Sequence, residues 1–517
     1  MVDRVVFEVS YEVCNKIGGI YAVLKSKAAR MVERYGENYY AVGFYDAAKS
    51  RVELDHKDPP QQIGEAFKQL ESTVGIRCHY GIWGIEGKPK VILVDSTELT
   101  SHIDEIKAGL WERYQVDSIT SDAWFNDPLV WATACGMVIE ALVSKPMFAD
   151  KEIVVQCHEW MSGAPIMYFK DKGLKIPTVF TTHATILGRS IAGQGVDLYK
   201  MVNEGLKEGK TADLELAKKF KCLDKHTMEV ACAREASVFT TVSEITSKEA
   251  HFILGRKVDI AVLNGLDISK YPDLEELPVQ RRKNRMVMRQ FLTAYFNRYY
   301  NIDFNKIRSM FISGRYEYHN KGIDLFIQSL RILNEELKKK KFEKTVIVFF
   351  FIPSGTKGEN IDVLKNISLY EEMTDRIEEE TPVIRDRIAE HLTRGEIPAT
   401  FESIVDEEFI RTCKNMMVHF TEKKGGTPPL CAFDLSYPEG TDSILSDLRA
   451  NGLLNREEDK VKVIFYPAYL SSAERLIPMG YNEATLTCDI GVFPSYYEPW
   501  GLHSTRSRRT GKPYNHN

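Results

Sequence analysis

Residues 5–20, VVFEVSYEVCNKIGGI, read as a strand, a turn and the opening of a helix. Val5–Val9 is a short, largely β-branched run, Gly18-Gly19 permits a tight turn, and a helix is expected from about Tyr21 to Tyr35. A strand without polar alternation suits a parallel sheet covered by helices on both faces. The unit recurs at Ile153–Val155, Thr178–Thr181, Val238–Val242 and Val258–Leu263. It then restarts at Met310–Ile312, Val346–Ile352, Val461–Phe465 and Ile490–Phe493, with a helix at Ile323–Leu333 carrying Ile323, Phe326, Ile327, Leu330 and Leu333 on one face.

Two α/β, doubly wound halves are therefore expected, which fits a length of 517 residues, more than one hydrophobic core usually serves. The boundary falls near Leu266–Pro278, where Asn264-Gly265 ends a strand, giving domains at 1–266 and 267–517. Ligands of such sheets bind outside the carboxyl ends of the strands, so a cleft served by loops of both halves is the expected site. A charged helical insertion at about 355–395 is read as a solvated excursion broken in two by Pro382, or as an assembly element of a homo-oligomer.

Composition narrows the partners. Lys and Arg number 68 against 73 Asp and Glu, a net charge of -5, which offers no field for nucleic acid or an anionic membrane. The start MVDRVVFEVS lacks the apolar core of a secretory signal, and no run of about 18 apolar residues exists to span a bilayer, so a cytoplasmic location is expected. Nine scattered cysteines, without CxxC or Cys/His spacing, read as reduced thiols, with neither a disulfide frame nor a metal site.

Four loops carry residues suited to chemistry. Lys16 with Gly18 and Gly19 offers a charge and helix-start amides to a pyrophosphate, although GxGxxG is absent and the glycines also suit tight packing. His158 and His183 follow strands, facing the expected cleft, with Arg189 six residues past the second; a histidine in such a place is more often a satisfied hydrogen-bonding residue than a catalyst. Arg315 and Lys321 flank a strand-to-helix loop and could neutralise a diphosphate leaving group, though surface basic pairs are common. Finally, VFPSYYEPWG (492–501) surrounds Glu498 with aromatics and prolines, including Trp500 and Gly501; it is a sugar-sized lip or simply a packed turn.

Taken in order, EVCNKIGGIYAVLKSKA, CHEWMSG, TTHATILGR, FTTVSEIT, LNGLDISKY, FISGRYEYHNKGIDLFI, LLNREEDKVKVIF and GVFPSYYEPWG resemble the glycogen synthases of animal and fungal type. That family consists of retaining glycosyltransferases with the GT-B fold, two facing Rossmann-like domains. The resemblance implies transfer of glucose from UDP-glucose, or ADP-glucose, to the non-reducing end of an α-1,4-glucan such as glycogen. No cofactor or metal is implied, because Arg and Lys supply the charge that a departing diphosphate needs. Lys16, Gly18 and Gly19 would face the donor, Arg315 and Lys321 would bind its diphosphate, His183 would lie beside the glucose and Arg189 near the phosphates. Glu498 corresponds to the first glutamate of the family's E-x7-E motif.

The pattern fails after Gly501. Where the family continues with Tyr-Thr-Pro and a second glutamate, this chain has Arg506 within LHSTRSRRTGKPYNHN (502–517). Shifting permitted codons by one base yields YTPLEAAALGNPTIT, so the tail is read as a frameshift product and the C-terminal domain as incomplete. The alternatives to a glycogen synthase are therefore an inactive remnant that binds nucleotide sugar or glucan, and a GT-B transferase with another acceptor.

Overall fold

The computed structural model describes residues 3–265 and 275–499, with the backbone of Tyr514–Asn515. The chain divides into two compact units, the first of Met1–Asp267 with Tyr497–Leu502, the second of Ile268–Tyr496 with His503–Asn517. Residues 497–499 thus belong to the first unit although the residues just before them belong to the second.

The first unit is built on β1 (Arg4–Val9), β2 (Tyr39–Phe44), β3 (Leu54–His56), β4 (Arg77–Trp83), β5 (Lys90–Asp95), β6 (Glu152–His158), β7 (Thr178–Thr182), β8 (Val238–Thr241) and β9 (Ile260–Ala261). Their order is β3-β4-β5-β2-β1-β6-β7-β8-β9, with β3, β4 and β5 paired antiparallel and the rest parallel. Val5, Phe7 and Val9 of β1 are buried in the same core as Phe125, Trp131 and Ile139 of the helix Ala123–Val143. Burial on both faces explains why β1 tolerates no solvent-facing alternation. Sequence neighbours run one way from β1 through β2 and the other way through β6. Connections therefore leave on opposite faces at β1 and β6, and such a switch point opens a crevice at the strands' carboxyl ends. Glu8 and His158 sit there.

The second unit repeats the plan with β10 (Ile307–Ser313), β11 (Thr345–Phe351), β12 (Thr356–Glu359), β13 (Phe433–Leu435), β14 (Val461–Tyr466), β15 (Ile490–Val492) and β16 (Tyr514–Asn515). The parallel sheet runs β14-β11-β10-β15-β16, so the switch lies between β10 and β15. The amphipathic helix extends over Ile323–Lys339, burying Ile323, Phe326, Ile327 and Leu330.

Three expectations need correction. The strand expected at Val258–Leu263 is only the exposed pair Ile260–Ala261. The insertion is a single helix, Ile361–Thr393, continuous through Pro382. Glu378 and Pro382 are both exposed, so water can take the carbonyl that lost its intrahelical donor. Nor is the excursion wholly outside the core. It springs from the antiparallel ribbon β12/β13, and its base buries Val363, Asn366 and Ile367. There the buried Arg298 guanidinium donates to Asn366 Oδ1 at 2.7 Å and to the carbonyls of Phe420 and His419 at 3.1 and 2.9 Å. Among the described residues, no helix is long and apolar enough to cross a membrane.

Candidate active site

At the carboxyl end of β1, Glu8 is 0 % exposed. A carboxylate in that position must be paired and hydrogen-bonded. Its Oε1 ion-pairs with Lys27 and receives His158 Nε2 at 2.6 Å, while Oε2 accepts from the Tyr39 hydroxyl at 2.6 Å. Burial alone would raise this carboxyl, but the Lys27 charge and the His158 hydrogen bond outweigh it and hold the group well below its ordinary range. His158 Nδ1 in turn lies 3.0 Å from His183 Nε2. Burial lowers His158, opposed by Glu8, and lowers His183 well below the ordinary histidine range, with His158 and Lys27 adding to the effect. Burial thus favours the neutral form of both rings.

The loop bearing His183 is pinned by three carboxylates. Glu159 holds φ 66 and ψ 166, backbone otherwise used almost only by glycine, at a cost of about 1–3 kcal/mol. The strain is held by its Oε1, which accepts the amides of His183 at 2.7 Å and Ala184 at 3.2 Å. Glu229 accepts the Ile186 amide at 3.0 Å. Glu249 Oε1 accepts the Thr185 amide at 3.1 Å, the Thr185 hydroxyl at 2.6 Å and the Tyr497 hydroxyl at 2.7 Å. Through this one oxygen the loop of His183 and the segment of Glu498, far apart in sequence, share an anchor inside the first unit. Thr246 Oγ1 adds a bond to the Pro499 carbonyl at 3.4 Å.

Burial pushes the Glu229 carboxyl far above its ordinary range, reinforced by Glu159 and Glu249 and offset by Arg189; Glu249 is raised as well, again by burial. A folded-state pKa above the unfolded one means stability that is fully present below the ordinary carboxylate value of 4.5 and lost as pH rises toward the folded value. Relative to Glu229→Gln, the wild-type chain should therefore lose up to about 1.4 kcal/mol per pH unit between pH 5 and 7. Urea denaturation across that range checks this; parallel curves for the two proteins would contradict it.

The glycine turn departs from expectation. Glu12 Oε2 accepts the amides of Gly18 at 3.0 Å and Tyr21 at 2.7 Å, so the chain's own carboxylate fills part of the anion seat at the start of the helix Gly19–Tyr35. The Gly18 requirement is equally local: a Cβ there would stand 2.8 Å from Glu12 Oε1. Lys16 is exposed beside this turn.

In the second unit, Arg315 and Lys321 share the loop between β10 and Ile323–Lys339. The Lys321 stem runs 3.6 Å from the position of a Cβ on Gly314, and Arg315 Nε lies 3.4 Å from Glu317 Oε1. Gly322 takes φ 64 and ψ 29, and a Cβ on it would fall 1.9 Å from the Pro494 carbonyl oxygen. His319 bonds Asp324 at 2.6 Å and stacks on Tyr496 with ring centroids 4.3 Å apart. The loop after β10 and the start of the Glu498 motif therefore pack backbone to backbone.

Of the residues singled out in the sequence, His158 and His183 touch, Arg189 acts electrostatically on Glu229 and Glu249, and Arg315 and Lys321 occupy one loop. Glu498 is partly buried, and its backbone amide bonds the Tyr199 phenol. Trp500, Gly501 and Arg506 lie outside the described residues. Sequence reasoning missed Glu8, Lys27, Glu159, Glu229 and Glu249; its nearest signal was a carboxylate inside an otherwise apolar run, as Glu8 is inside VVFEV.

A sequence profile of the family described as glycogen synthase matches residues 8–513. The chain is 34% identical over 512 residues to the liver glycogen [starch] synthase of Mus musculus, covering 99% of this chain and 71% of that one. It is 34% identical over 518 residues to glycogen [starch] synthase of Caenorhabditis elegans, covering 99% and 75%. Among solved structures, the catalytic domain of starch synthase IV from Arabidopsis thaliana, bound to ADP and acarbose, overlaps with a TM-score of 0.44 at 12% identity, over 99% of this chain and 82% of that chain.

Proposed function

The chain belongs to the glycogen synthase family, which makes it a member of a glycosyltransferase family, and from that membership we propose that it transfers glucose from a nucleotide diphosphate sugar to the non-reducing end of an α-1,4-glucan, with retention. Breaking the bond between glucose and a diphosphate leaves positive character on the sugar and a departing anion, so preorganised charge is the main requirement. Arg315 would meet the diphosphate with a forked donor and Lys321 with a point charge, without a metal or cofactor. His183 would lie beside the glucose and Arg189 near the phosphates. Glu498 would stabilise positive charge at the anomeric carbon. Lys16, Gly18, Gly19 and His158 would border the donor.

The observation that supports this reading most directly is the shared anchor at Glu249 Oε1, which ties the His183 loop to the Tyr497-Glu498 segment. Two motifs assigned to the same donor sugar are held by one buried carboxylate. Radiolabelled UDP-glucose and ADP-glucose, each offered with glycogen, test the proposal and choose the base. Incorporation into glucan supports it; binding without incorporation would instead favour a ligand-holding remnant. A Glu498→Gln chain with full transfer would remove Glu498 from the scheme.

A further inference from the structure

We propose that Glu8 is a positioning residue which, acting through His158, holds His183 with hydrogen on Nε2 and a lone pair on Nδ1, so that its imidazole accepts a hydrogen bond from a hydroxyl of the bound glucose. The sugar-facing part rests on the function proposed above; the tautomer does not.

The donors around Glu8 fix its charge. Tyr39 offers only a hydroxyl to Oε2, and Lys27 offers an ammonium to Oε1, the oxygen that also faces His158 Nε2. With both oxygens surrounded by donors, the carboxylate is ionised and His158 must present Nε2–H to it. A neutral imidazole with hydrogen on Nε2 has only a lone pair on Nδ1. His158 Nδ1 lies 3.0 Å from His183 Nε2, so hydrogen in that contact belongs to His183. The remaining ring nitrogen of His183, Nδ1, is then an acceptor.

The opposite polarity would require His158 to be doubly protonated. Lys27 already supplies the one positive charge that Glu8 needs, and both rings sit where burial disfavours a second. The sheet register supports the geometry. Glu8 pairs with Gln156 and His158 with Thr181 across adjacent parallel strands, and Gln156 Nε2 bonds Thr181 Oγ1 at 2.9 Å, which bonds Thr240 Oγ1 at 2.8 Å. This ladder locks the strand ends that carry the relay. A neutral acceptor also suits the chemistry, since a cationic imidazolium beside a sugar gaining positive charge would oppose it.

The test uses the full chain labelled with 15N-histidine, with His183→Asn identifying the His183 signals. Two-bond proton–nitrogen correlations should show both His158 and His183 neutral with hydrogen on Nε2. Glu8→Gln can keep an oxygen toward Lys27 and His158, and should retain these tautomers. Glu8→Ala removes the acceptor, and His183 should shift toward a mixture with hydrogen on Nδ1. In binding titrations, the ratio of UDP-glucose to UDP affinity should fall about 5- to 10-fold in Glu8→Ala, the worth of one hydrogen bond, and stay within about 2-fold of wild type in Glu8→Gln. Hydrogen on His183 Nδ1 in the wild-type chain would overturn the relay, and needs no variant to fold. An unchanged affinity ratio in folded Glu8→Ala would overturn the sugar contact. Failure of wild type to bind either nucleotide would overturn the proposed function while leaving the tautomer readable.

Discussion

Gly322→Ala is expected to cost about 3–5 kcal/mol of stability, the sum of left-handed backbone strain and overpacking against a neighbour that cannot yield. At φ 64 the new Cβ would stand 1.9 Å from the Pro494 carbonyl oxygen and 2.7 Å from its carbon. Both obstacles are backbone, so no rotamer change relieves them. Either the Gly322 turn or the Phe493–Tyr496 segment has to move. The first choice damages the loop of Arg315 and Lys321. The second shifts the chain a few residues before Glu498. Glucose transfer should fall about 100-fold even in molecules that remain folded, as misplacement near 1 Å commonly does. Gly314→Ala is the control: its Cβ would meet only the Lys321 stem at 3.6 Å, ordinary contact, and should cost less than about 1 kcal/mol. Urea midpoints and initial transfer rates on the two variants decide the matter. Equal behaviour would show that the Gly322–Pro494 contact is not a constraint.

Glu249→Ala should cost a similar amount, about 3–5 kcal/mol, for a different reason. The Thr185 amide, the Thr185 hydroxyl and the Tyr497 hydroxyl all donate to Glu249 Oε1, and Glu249 is 0 % exposed. Removing one shared acceptor leaves up to three buried donors short of a partner, each worth about 1–3 kcal/mol, though water entering the cavity recovers part. Glu249→Gln keeps an oxygen in place and should cost about 1–2 kcal/mol. Because burial raises the wild-type carboxyl, the glutamine variant should also lose less stability than wild type as pH climbs above the ordinary carboxylate range. Thermal unfolding of both variants at pH 5 and pH 7 separates these contributions. An alanine variant as stable as the glutamine one would mean that Oε1 is not the anchor.

The two-half organisation was legible because its signals are local. A run such as Val346–Ile352 owes its strand character to its own β-branched and aromatic residues, and β11 appears there, at Thr345–Phe351. Strands with mixed composition were not legible. Tyr39–Phe44 contains a glycine and two tyrosines, and Arg77–Trp83 mixes charged, polar, glycine and aromatic residues next to the antiparallel edge strand, yet both belong to the nine-stranded sheet. Pro382 shows the reverse error, where a strong local breaker is tolerated on an exposed stretch of helix that water can reach. At the site, motif reading found the residues that end strands, namely His158, His183 and the pair Arg315 and Lys321. It could not find their supports. Glu8 and His158 are 150 positions apart, and Glu249 and Tyr497 are 248 apart.

By itself, then, the sequence determined the family, the two wound halves and the loops bearing polar groups, since each depends on residue types within a few positions of one another. Only the tertiary structure decided that Glu12 caps the glycine turn, that Glu8 orders two histidines, and that Glu249 joins the His183 loop to the Glu498 segment. Those are matters of which donor meets which acceptor and of how deeply each is buried. Burial raises Glu229 and Glu249, Lys27 and His158 keep Glu8 ionised against it, and strand register sets Glu8 beside the strand of His158; none of this exists until the distant segments have packed.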